Sequence, residues 1–175
     1  VNRSKTTTSS QHLDNKMSTH IPQAPLPKVE NMRVAIVKAM WNGHITDCLT
    51  ESALKVFRLQ NFPERDVVVF EVPGAVELTY AASQLIETGL FDAVIVFGCV
   101  IKGDTPHFDY VCQSVTQGIA MLNSDCDIPV IFGVLTVNEE KQALDRCGGI
   151  CGDKGAEAAE TAIRMHDFTV KVRDL

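Results

Sequence analysis

From residue 33 onward, short apolar runs rich in β-branched residues alternate with longer stretches whose apolar positions recur every three to four residues. The runs 33–39, 66–72, 93–101 and 129–136 predict strands, and the stretches 45–60, 75–88, 108–124, 138–147 and 155–167 predict helices. The strands are almost continuously apolar, the pattern a parallel sheet needs when helices cover both faces. Repeated βα units without internal sequence repetition predict an α/β protein. Its expected form is a three-layer αβα sandwich on a central four-stranded parallel sheet with right-handed crossovers.

Residues 1–31 break this pattern. They carry eight Ser or Thr, three prolines and no aromatic residue, and show no amphipathic period. Such a segment cannot bury enough surface to offset its ordering entropy, so a flexible N-terminal extension is expected, followed by one α/β domain over 32–175. The extension has no apolar stretch of secretory length. Its Ser/Thr-rich, acid-poor character also fits an organelle-directed precursor, with a plastid stroma as one destination, while the cytoplasm is the expected compartment.

The chain has 175 residues, 45% of them hydrophobic, with 16 Lys and Arg against 22 Asp and Glu. This is the balance of a globular domain. The formal charge of −6 implies no basic surface for tracking a phosphate backbone, so nucleic acid is not an expected partner. The longest apolar runs, such as 93–97 and 129–132, fall far short of the ~20 residues that span a bilayer, so no membrane is expected either. Six cysteines, at positions 48, 99, 112, 126, 147 and 151, form no CxxC pair and read as reduced thiols in a reducing compartment. Cys147 and Cys151 lack further ligands at suitable spacing, so no metal site is expected.

In an open parallel sheet, ligands bind where the loops leave the carboxyl ends of the strands. After the first strand, Trp41 can cover a flat heterocycle while Asn42 supplies a donor and an acceptor, although a Trp there can equally pack on the rim. After the second, Glu77 follows a Pro-Gly turn and enters a helix. There a carboxylate suits the free amides, and it could also accept hydrogen bonds from a polyol.

The third loop reads Lys102-Gly103-Asp104-Thr105-Pro106-His107. Gly103 permits close backbone approach, Asp104 and Thr105 offer amides and a hydroxyl, and Pro106 suits a first helical turn. Amides converging on a helix start form an anion site, and His107 beside it can exchange protons near neutrality, unless it merely caps or packs. Farther along, Arg146 and Lys154 flank a Gly-rich stretch. They could frame an anion or serve as charges at helix ends. Phe132 lies within the fourth strand, ordinarily a core position. No GxGxxG follows the first strand, and neither GxxxxGK[ST] nor GxSxG occurs, which disfavours dinucleotide, nucleoside triphosphate and serine-hydrolase chemistry.

Taken in order, Trp41-Asn42, Val72-Pro73-Gly74-Ala75-Val76-Glu77, the loop motif over 98–111, the strand over 129–136, Gln142-Ala143-Leu144-Asp145-Arg146 and the stretch 152–159 resemble the 6,7-dimethyl-8-ribityllumazine synthases. The resemblance covers about residues 32–167. It implies a flavodoxin-like topology and the penultimate step of riboflavin biosynthesis. There 5-amino-6-(D-ribitylamino)uracil condenses with 3,4-dihydroxy-2-butanone 4-phosphate to give the lumazine, phosphate and water, without a cofactor.

By resemblance, Trp41 and Asn42 meet the pyrimidine, Ala75, Val76 and Glu77 hold the ribityl chain, and Cys99, Val100 and Ile101 contact the ring. Gly103, Asp104, Thr105 and Arg146 take the phosphate, and His107 carries protons. The resemblance also implies a homo-oligomer, either a pentamer or sixty subunits in twelve pentamers. Phe132, Arg146 and Lys154 would then reach the site from the adjoining chain. The sequence departs from the commoner family pattern at Val76, at Asp104 and over 148–151. A non-catalytic flavin- or lumazine-binding carrier or shell of the same architecture is the competing reading.

Overall fold

The computed structural model describes residues 24–175. Its elements are β1 (Val34–Ala39), α1 (Gly43–Leu59), a 3₁₀ turn at Glu64–Asp66, β2 (Val67–Val72), α2 (Glu77–Glu87), β3 (Ala93–Ile101), α3 (His107–Asp125), β4 (Val130–Val137), α4 (Glu140–Leu144), β5 (Cys147–Gly149), β6 (Gly152–Asp153) and α5 (Lys154–Arg173). The first four strands form one parallel sheet in the order β2-β1-β3-β4, and β5 and β6 form a small antiparallel hairpin. The expected αβα sandwich is what forms.

Strand periodicity divides the core. On one face Val34, Ile36, Ile95, Phe97, Ile131 and Leu135 meet α1 and α5 through residues such as Leu49, Phe57, Ala159 and Ile163. On the other, Ala35, Val37, Val94, Val96 and Val134 meet α2 and α3 through Leu78, Ala82, Val115 and Ile119. Alternate residues of one apolar strand thus serve two cores, which explains why the central strands show no polar alternation. Gly155 lets α5 approach α1 closely: a Cβ there would stand 2.1 Å from the Leu49 carbonyl oxygen.

Four details differ from the sequence expectations. β2 is an edge strand, and Val69 and Phe70 are partly exposed because no strand covers their outer side among the described residues. The helix expected over 138–147 is only five residues long. Gly148 and Gly152, with φ of 86° and 90°, instead turn the chain into the β5–β6 hairpin, closed by Cys151 N–H on the Asp145 carbonyl at 2.8 Å. α5 runs past the expected end at 167 to Arg173, supported by a Lys171–Asp167 ion pair at 2.7 Å one turn apart. The extension expected over 1–31 falls largely on residues 1–23, outside the described residues. Its last part is docked, since Leu26 and Val29 pack against the α1/α5 core and Arg164 donates to the Ala24 carbonyl.

Candidate active site

All four β-strand exits reach one edge of the sheet, and the order β2-β1-β3-β4 puts the topological switch between β1 and β3. The first two loops are tied together: Met40 N–H donates to the Val72 carbonyl at 2.8 Å and Trp41 N–H to the Pro73 carbonyl at 3.1 Å. Trp41 is 73% exposed, so its ring is not a core element. Asn42 adopts a left-handed conformation with φ 56°, which its short polar side chain tolerates, and its carbonyl receives the first amides of α1. Across the switch, Asn42 Nδ2 donates to the Cys99 carbonyl at 2.8 Å. The side chain expected to serve a ligand with both of its functions has thus committed a donor to the fold.

Gly74 joins the two candidate binding groups. A Cβ built there would lie 3.1 Å from Glu77 Oε2 and 3.4 Å from Trp41 Cδ1, so the carboxylate and the indole flank the same bare backbone. Glu77 is the first residue of α2, where the helix dipole favours its charge. Val76 is exposed and Ala75 is buried against the α2/α3 core, so Ala75 offers a ligand its backbone rather than its side chain.

The end of β3 behaves likewise. Val100 packs on the α2/α3 core, while Cys99 and Ile101 pack on the α1/α5 core, so the three present main-chain groups to the rim. Burial, and then the nearby Glu140 charge, push the Cys99 thiol up to about 11. Beyond β3, Gly103, Asp104, Thr105 and His107 are all exposed, with His107 opening α3 directly after Pro106. A Cβ on Gly103 would meet nothing within 4 Å among the described residues, so the backbone there is open to approach.

The remaining expected residues gather elsewhere. Phe132, 42% exposed, lines a groove of about 590 Å³ along the outer edge of β4 together with Arg146, Lys154, Glu157 and Thr161. Phe132 leaves the core because β4 ends the sheet. Arg146 Nη1 donates to the Gln142 carbonyl at 2.8 Å, and its other guanidinium donors have no partner among the described residues. Lys154 is paired with Glu157 at 2.6 Å. The groove lining includes no residue of the first three rim loops, so the expected residues do not line one common cavity of a single chain.

The sequence model of the family described as 6,7-dimethyl-8-ribityllumazine synthase matches residues 31–169. The chain belongs to this family. It is 50% identical over 148 residues to the 6,7-dimethyl-8-ribityllumazine synthase of Phocaeicola vulgatus, covering 85% of this chain and 88% of that protein. Identity to the enzyme of the same name from Bacteroides fragilis is 52% over 137 residues, or 78% of this chain and 96% of that protein. For Flavobacterium johnsoniae it is 45% over 152 residues, or 87% of this chain and 80% of that protein.

In this lumazine synthase family chain, the sequence reading passed over three features of the rim. Gly74 was legible only as a turn glycine, although the Pro-Gly pair before Glu77 carried the signal. Gln142 holds Arg146 through a main-chain carbonyl, which no side-chain pattern encodes. His44 Nε2 lies 2.5 Å from Glu140 Oε1 and joins the first turn of α1 to α4, a contact between residues 96 apart in sequence. Below the rim, Cys48 Sγ lies 3.3 Å from the Cys147 carbonyl, and burial followed by the neighbouring Cys48 pushes the Cys147 thiol up to about 12. Among the described residues, no group of three or more His, Cys, Asp and Glu could hold a metal ion.

Proposed function

We propose that this chain catalyses the condensation of 5-amino-6-(D-ribitylamino)uracil with 3,4-dihydroxy-2-butanone 4-phosphate to 6,7-dimethyl-8-ribityllumazine in riboflavin biosynthesis. The observation that carries the reading is the match of nearly the whole folded chain to the lumazine synthase family, in a fold whose rim exposes an indole and a carboxylate around Gly74. Trp41 stacks on the pyrimidine, Glu77 accepts hydrogen bonds from ribityl hydroxyls, and main-chain groups of residues 99–101 contact the ring edge. Asn42 holds the β3 exit in place through the Cys99 carbonyl.

His107 moves protons during carbinolamine formation and dehydration. The start of α3, with Gly103, Asp104 and Thr105, and the guanidinium of Arg146 stabilise the charge of the departing phosphate. Much of the acceleration comes from holding two reactants in contact, for which effective molarities reach on the order of 10⁵ M.

The separation between the rim and the β4 groove supports an active site built from two chains. Phe132 and Arg146 of one protomer then complete the rim of the next, with Lys154 shared between its Glu157 and the phosphate. A pentamer is the assembly proposed, and twelve pentamers in a closed shell are its further extension. All six cysteines are free, which fits a reducing cytoplasm, and no described helix is long and apolar enough to cross a membrane.

The test is to mix purified protein with both substrates and follow lumazine absorbance. A rate above the spontaneous condensation that falls in His107→Ala supports the reading. A protein that binds lumazine or riboflavin without accelerating its formation is a carrier instead.

A further inference from the structure

Arg146 stands two residues beyond α4, and the guanidinium is oriented by that helix through the Gln142 carbonyl. Five residues cannot form a stable helix alone, so the direction of α4 is set by what holds it. Its far end is held by the hairpin, through Cys151 N–H on the Asp145 carbonyl at 2.8 Å and Lys154 N–H on the Arg146 carbonyl at 2.9 Å. Within the helix Ala143 is buried, Gln142 Oε1 accepts from Asn138 N–H at 2.9 Å, and Glu140, the first residue, meets His44. His44 is in turn the second residue of α1, next to the turn that carries Trp41 and Asn42. Glu140 also lies near enough to Cys99, whose carbonyl tethers Asn42, for its charge to raise that thiol.

We propose that His44 and Glu140 are positioning residues for the phosphorylated substrate: their contact fixes α4 against the first turn of α1 and thereby aims the Arg146 guanidinium. This rests on the proposed function, in which Arg146 binds the phosphate. It adds a physical link between the pyrimidine loop and the phosphate arm of the same chain, which in a shared-site assembly belong to adjacent sites. Both side chains are 56% exposed, so the contact is modest in energy and its loss shifts a binding constant instead of abolishing activity.

The experiment is steady-state kinetics with each substrate varied, on wild type, His44→Ala, His44→Gln, Glu140→Ala and the double alanine variant. The expected result for either alanine variant is a rise of about threefold in KM for the phosphorylated ketone, with kcat and the pyrimidine KM nearly unchanged. The double variant should be no worse than either single one, and His44→Gln, whose amide can still donate to Glu140, should recover most of the loss.

Unchanged constants, or equal rises for both substrates, would overturn the proposal. Hydrogen exchange supplies a readout that does not need turnover: the amides over 143–147 should exchange faster in His44→Ala, and unaltered exchange there would refute the link. A wild type without activity would defeat the proposed function, while the exchange result would still decide whether His44 holds α4.

Discussion

Asn42 Nδ2 donates to the Cys99 carbonyl at 2.8 Å, tying the turn after β1 to the end of β3 across the switch point of the sheet. The same residue holds a left-handed φ of 56°. These two roles can be separated. Asn42→Gly keeps the backbone conformation and loses the tether, so it should raise the pyrimidine KM several-fold with little change in thermal stability. Asn42→Ala also suffers the left-handed conformation, which costs about 1–2 kcal/mol. Its unfolding midpoint should therefore fall below that of the glycine variant. Equal midpoints would show that the backbone relaxes.

Gly74 is the one glycine where an added methyl group would touch both candidate binding side chains. Its Cβ would stand 3.1 Å from the Glu77 carboxylate and 3.4 Å from the Trp41 ring. Gly74→Ala should therefore weaken the ribitylated substrate while leaving the KM for the phosphorylated ketone close to wild type. Titration by Trp41 fluorescence, the only tryptophan in the chain, reads the change directly. A variant with wild-type affinity would remove the indole and the carboxylate from a common site.

Much of the architecture was legible because apolar strands and amphipathic helices differ in period, and because the central strands are buried on both faces. β2 and β4 escape that logic: both read as core strands, yet as edges they expose Phe70 and Phe132. Pattern reports how apolar a strand is, while exposure depends on which neighbour it lacks. The helix expected over 138–147 overruns its true end at Leu144, because the hairpin that follows is set by the φ values of Gly148 and Gly152. At the site, residue types identified Trp41, Glu77, His107 and Arg146 as candidates. The contacts that orient them, Asn42 on Cys99 and Arg146 on Gln142, run to main-chain carbonyls that carry no residue signature.

Gly155 tests the packing of α5 on α1. A Cβ placed 2.1 Å from the Leu49 carbonyl oxygen and 2.9 Å from its Cα meets backbone that cannot rotate away. Gly155→Ala must push the helices apart, at a cost of about 1–3 kcal/mol typical of overpacked cores. The unfolding midpoint should drop clearly. Because α5 begins just after the β5–β6 hairpin, phosphate-side binding should weaken with it. A midpoint matching wild type would contradict the close approach of the two helices.

The thiols give a pH dependence with a definite sign. Cys99 is pushed up to about 11 and Cys147 to about 12, so both are protonated in the native protein at neutral pH. Alkylation requires the thiolate, and both should resist iodoacetamide at pH 8 in the native protein and react once it is unfolded. A pKa raised in the folded state contributes stability that is complete below the ordinary thiol value near 9 and is lost as pH climbs through the raised values. The stability advantage of wild type over Cys99→Ala should therefore shrink between pH 9 and 11. A constant difference across that window would refute the assignment.

The two groups of candidate residues, the rim with Trp41, Glu77 and His107 and the β4 groove with Phe132 and Arg146, make the strongest prediction about assembly. If each site takes its rim from one chain and its groove from the next, His107→Ala and Arg146→Ala damage opposite halves of the site. Each variant alone should be impaired at every site. Dissociated, mixed in equal amounts and reassembled, they should form sites with both halves intact at about one quarter of positions by random pairing. Activity should then rise above that of either parent, and the gain should disappear when the two are mixed without dissociation. If both defects fell within one chain, mixing would restore nothing. That result would oblige the rim and the groove to serve a single protomer, a reading the free edge of β4 does not favour.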